Sequence, residues 1–65
     1  MNKQVNLKIK KARKRKDMTQ EQAAIAIGIP RTVYLKIENG DRDVKVSLAR
    51  KFSEFYEKTM DELFG

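Results

Sequence analysis

Cysteine and histidine are absent from this 65-residue sequence, proline occurs once and glycine three times. Without cysteine no disulfide can staple the chain and no thiolate can hold a metal. Without histidine the usual zinc-ligand sets are missing too, so no metal or other cofactor is expected. The opening MNKQVNLKIKK carries no apolar run long enough for a signal peptide or a membrane span, which predicts a reduced, cytoplasmic setting. A chain this short has room for one domain and one modest core, taken as residues 1–65 with its core from about 6 to 64. The scarcity of proline and glycine among strong helix formers predicts an all-α fold.

Charge of one sign dominates only one end. The net charge is +6, and eight of the fifteen lysines and arginines precede Asp17, with no acidic residue among them. Such polarity suits a polyanion, either nucleic acid or an anionic membrane surface, and is equally compatible with simple solubility. The first helix, from about Asn6 to Lys16, places Val5, Ile9, Ala12 and Lys16 on one face at helical spacing. That stripe is thin and has no aromatic anchor, which argues against a membrane-surface helix and against a membrane partner.

The stretch from Thr19 to Gly40, TQEQAAIAIGIPRTVYLKIENG, carries the most information. Thr19 and Gln22 form a capping-box pattern at the start of a helix over Gln20 to Ile27. Ala24 leaves room for a second helix to cross close above, and Gly28 four residues later can take a positive φ and reverse the chain. A further helix from Arg31 to Asn39 then turns Tyr34 and Ile37 inward and Arg31, Thr32, Leu35 and Lys36 outward, and Gly40 can end it.

This constellation resembles the helix-turn-helix of the phage-repressor (Cro/cI, or xenobiotic-response-element) family of DNA-binding regulators. The resemblance runs from about Leu7 to Phe64 and rests on Arg13, the TQEQAA run, Gly28, IENG and the terminal TMDELF. It implies a compact five-helix domain with the helix-turn-helix formed by helices 2 and 3. Three departures stand out. Asp17 occupies a left-handed corner where relatives usually have Gly or Asn. Ala23 replaces a common leucine, and Pro30 replaces a Ser or Thr cap at a cost of about 1 kcal/mol.

Beyond Gly40 the reading is less certain in register. Asp43 is the candidate cap for a fourth helix that runs to about Tyr56, although Val44, Val46 and Leu48 alternate like a short strand. Thr59 and Glu62 form a second capping box opening a last short helix, in which Met60, Leu63 and Phe64 can pack. Phe52, Phe55, Tyr56 and Phe64 have two competing uses: filling the space that Ala12 and Ala23 leave, or forming a surface between two copies. Ile25 points outward, alone or in an interface.

By position, the resemblance implies Arg31, Thr32, Val33 and Lys36 as base-contacting residues. Arg and Lys suit guanine O6 and N7, and valine suits a thymine methyl group. Gln20, Asn39, Arg42 and Lys45 are expected at the backbone phosphates, with Asp41 and Asp43 opposing them. Arg13, Ala24, Gly28 and Glu38 have structural roles, and the resemblance implies that Arg13 pairs with Glu38 to lock helix 1 to helix 3. The carboxylate pairs Asp41/Asp43 and Asp61/Glu62 read as caps and solvated charges, so no catalysis and no small-molecule ligand are expected.

A single recognition helix spans few base pairs, so the expected partner is a pseudo-palindromic duplex DNA operator bound by a homodimer. With no second domain, repression by promoter occlusion is the favoured action. Two rivals remain open. One is a protein-interaction module on the same fold, of antitoxin or antirepressor type. The other is non-specific nucleic-acid binding through the basic first segment.

Overall fold

Asn6 starts the architecture. Its side-chain Oδ1 accepts the Ile9 amide proton at 3.0 Å and so caps α1 (Leu7–Arg15). The computed structural model describes residues 5–41 and 43–65. These residues form α1, α2 (Gln20–Ile27), α3 (Arg31–Glu38), α4 (Val46–Tyr56) and α5 (Met60–Phe64), with no strand among them. α2 packs on α3 and α4, α1 bridges α3 and α5, and α4 packs on α5.

Four helices stop in one way. Asp17, Gly28, Gly40 and Glu57 all have positive φ, and each is followed by an amide that donates to a carbonyl five residues back. Those donors are Met18 to Arg13, Ile29 to Ala24, Asp41 to Lys36 and Lys58 to Ser53. Each such bond satisfies a carbonyl that the helix end leaves without a partner. The left-handed corner expected at Asp17 is present, with φ 58°. Glu57, at φ 55°, had no sequence signal.

The core is made of rings and small residues in turn. Phe52 is fully buried and stacks on Tyr34, with ring centroids 5.5 Å apart. Tyr56 and Phe64 meet the same ring at tilted and edge-on angles, within the separations such pairs favour. Ala12, Ala23 and Ala24 complete the buried set with Ile9, Ile37 and Leu63. Phe52 and Tyr56 thus fill the space beside the alanines. Phe55 and Phe64 are half-buried, and Phe55 lies under the Lys16 ammonium at 5.0 Å.

Three readings are corrected. Val5 precedes α1 and is exposed instead of sharing its inner face, because the cap at Asn6 already ends the helical stretch. The N-cap of α4 is Lys45, not Asp43, and no side chain caps that helix. Leu35, expected outward on α3, is half-buried.

Candidate nucleic-acid interface

The candidate surface is the α2–turn–α3 unit. Its entry is fixed by the Thr19 capping box: Thr19 Oγ1 accepts from the Gln22 amide at 3.1 Å, and Gln22 Oε1 accepts from the Thr19 amide at 2.8 Å. Its turn is fixed by Gly28 at φ 93°. A Cβ built there would meet nothing within 4 Å, so the dihedral, and not lack of space, calls for glycine. Ile29, half-buried, packs the turn against the core.

Pro30 then starts α3 without a side-chain cap. Tyr34, Ile37 and Glu38 are buried, which leaves Arg31, Thr32 and Lys36 exposed on the opposite side with half-buried Leu35 between them. Val33 is half-buried and packs against the core. Among the expected phosphate contacts, Gln20 is half-buried at the start of α2, whereas Asn39 and Lys45 are exposed at the end of α3 and before α4. Arg42 lies outside the described residues.

The angle of α3 is held from behind by a buried ion pair. Arg13 Nε donates to Glu38 Oε2 at 3.2 Å and Nη2 donates to Glu38 Oε1 at 2.9 Å. The side chains are 11% and 1% exposed. Nη1 also donates to the Met18 carbonyl at 2.9 Å, so one planar fork joins α1, its corner and α3. The hydrogen bond to Glu38 raises the Arg13 pKa still further, against the opposing effect of burial. No described buried side-chain nitrogen or oxygen lacks a partner, so the pair is fully satisfied.

Two supports escaped the sequence reading. The Tyr34 and Tyr56 hydroxyls meet at 2.6 Å inside the core, tying α3 to α4. Burial, first of all, pushes both hydroxyls above the ordinary tyrosine range, and the hydrogen bond to Tyr56 pushes Tyr34 further. Asn6 reaches two other helices: its amide donates to the Glu38 carbonyl at 2.8 Å and its Nδ2 to the Leu63 carbonyl at 2.8 Å. Adjacent polar residues gave no signal of these distant partners.

Among the described residues no cluster of His, Cys, Asp or Glu could hold a metal ion, and no helix is long and apolar enough to cross a membrane. The family model for the helix-turn-helix matches residues 9–63. The chain belongs to the Cro/cI-type helix-turn-helix family of DNA-binding regulators.

Relatives within this helix-turn-helix family are regulators by name. The chain is 45% identical over 59 residues to the control protein C.MunI of a Mycoplasma species, covering 89% of this chain and 80% of that one. It is 34% identical over 56 residues to the cryptic phage CTXphi transcriptional repressor RstR of Vibrio cholerae, covering 86% of this chain and 50% of the repressor. No solved structure matches significantly.

Proposed function

We propose that this chain is a sequence-specific double-stranded DNA-binding protein that regulates transcription, acting as a repressor by occluding a promoter. The observation that carries the reading is the exposed Arg31, Thr32 and Lys36 face of α3, backed by the Arg13–Glu38 pair. The major groove admits an α-helix, and its base edges distinguish all four base pairs. Arg31 and Lys36 donate to guanine O6 and N7, and Thr32 contacts a neighbouring base. Gln20, Asn39 and Lys45 contact phosphates and set the register.

One helix reads too few base pairs for useful discrimination, so two copies bind a pseudo-palindromic operator with half-sites about one helical turn apart. The protein acts in the cytoplasm without catalysis, cofactor or small-molecule ligand. The names of the two relatives, a control protein and a transcriptional repressor, support the regulatory role.

Selection of bound fragments from random DNA tests the reading, and an inverted repeat is expected. On that operator, Arg31→Ala or Lys36→Ala should lose about 1–3 kcal/mol and relax preference at one position per half-site. Affinity should fall steeply with salt as counterions are released. Recovery of no motif, with binding that depends only on the lysines of α1, would favour a non-specific nucleic-acid binder. No salt-dependent binding at all would favour a protein-interaction module.

A further inference from the structure

Large exposed apolar side chains are few, and they are not scattered. Val46 is 65% exposed, Leu7 58%, Val5 46% and Met60 38%, and these four line two adjoining grooves. The first groove, about 660 Å³, lies where α1 begins, beside Ile37 and Gly40 at the end of α3. The second, about 430 Å³, lies between the start of α4 and α5. Val44 and Phe64 line both, so the two form one continuous apolar face. Ile25, 71% exposed, is the fifth such residue; it stands on α2 and lines neither groove. Single apolar residues on a surface are ordinary, whereas a contiguous patch marks an interaction site.

We propose that this face is where a second copy of the chain docks. The inference rests on the two-copy reading above and assigns the surface that reading requires. Charge points to a copy of the same chain. Lys8 stands on the first groove, while Asp43 and Asp61 stand on the second. A two-fold contact lays the first groove of each copy over the second groove of the other, so the basic lip meets the acidic lip twice. A nucleic acid on this face would instead meet an apolar floor and two carboxylates.

Size and position agree with this. The chain measures 31 × 22 × 21 Å, so two abutting copies have centres roughly 20–30 Å apart, comparable with a half-site repeat of about 34 Å. Arg31, Thr32 and Lys36 line neither groove, so docking leaves both reading faces uncovered.

The test is sedimentation equilibrium of the whole chain, alone and with a duplex carrying one or two selected half-sites. Val46→Glu and Met60→Glu change exposed positions at helix starts, where a carboxylate is well tolerated. Each should weaken self-association at least tenfold and abolish the preference for two half-sites. Single half-site affinity and the melting curve should stay as in the parent, and Ile25→Glu should leave assembly intact. Parental self-association in folded Val46→Glu and Met60→Glu overturns the docking face without touching the α3 reading. Loss of single half-site binding in those variants also overturns it, because the face would then touch DNA. If either variant fails to fold, Val46→Cys in this cysteine-free chain gives a second measurement. Maleimide labelling should slow as protein concentration rises, and a constant rate overturns the proposal. Failure of the α3 reading shows separately, as a parent chain that selects no motif.

Discussion

The α2–α3 unit and the α4–α5 unit reach rigidity by different means. In the first, Ala23 and Ala24 are buried and let helices approach closely, and both helices end on glycine, at Gly28 and Gly40. In the second, bulk does the packing: Phe52 sits at the centre with Tyr34, Tyr56 and Phe64 around it, and the helix ends on Glu57. The first unit fixes backbone direction, which a reading surface needs. The second supplies apolar volume, which a 65-residue chain with an alanine-rich second helix otherwise lacks. Arg13 and Tyr56 join the units from opposite sides, each through a residue of α3.

The largest way to break this division is to remove the fork. Arg13→Ala should destabilise the chain by ~3–5 kcal/mol, because Glu38 would be left as a buried, unpaired carboxylate. Arg13→Lys should recover only part, since an ammonium cannot reproduce two parallel bonds. Urea melts monitored by circular dichroism would show both, and an unchanged midpoint for Arg13→Ala would refute the structural role.

Breaking the second join should cost less. Tyr34→Phe or Tyr56→Phe alone strands one buried hydroxyl, at about 1–3 kcal/mol, while the double variant should lose less than the two singles summed. Additive losses would mean that the hydroxyls are not partners. The same pair predicts a pH limit. Both folded-state values are raised, so this contribution is complete below the ordinary tyrosine pKa of 10.0 and is lost as pH climbs above it. Denaturation at high pH should be shallower in the double variant.

Smaller effects sharpen the contrast between helix ends. Gly28→Ala should cost about 1–2 kcal/mol despite the empty space around it, because alanine dislikes positive φ. Glu57→Gly should do the reverse and stabilise by roughly 0.5–1 kcal/mol, relieving the same conformation against a larger loss of chain entropy. Its 4.0 Å contact with Lys16 is exposed and counts for little. Thermal melts of the two variants should therefore move in opposite directions, and parallel shifts would undo the argument.

Much of this division was legible before any coordinates. The capping boxes at Thr19 and Thr59, the reversal at Gly28 and the inward Tyr34 and Ile37 follow from local chemistry and period, and each is present. The Arg13–Glu38 pair came from the family resemblance, since 25 residues separate the partners and nothing local links them. What escaped was of two kinds. Long-range partners, such as Asn6 with Leu63 and Tyr34 with Tyr56, depend on how helices cross, which no window of sequence contains. Position within a weak pattern was the other. Glu57 adopts a glycine-like conformation without a glycine, and α4 starts at Lys45 with no side chain to announce it. The division of the aromatics between core and surface was likewise undecidable from spacing, and the structure answers it unevenly, with two rings buried and two half-buried.

The paired tyrosine hydroxyls have a practical consequence. The chain has no tryptophan and only these two tyrosines. All of its longer-wavelength ultraviolet emission therefore comes from one spot, directly behind the helix that carries Arg31 and Lys36. Any tilt of that helix against α4 changes the surroundings of those fluorophores, so the unlabelled protein carries its own optical gauge of how the helix is seated.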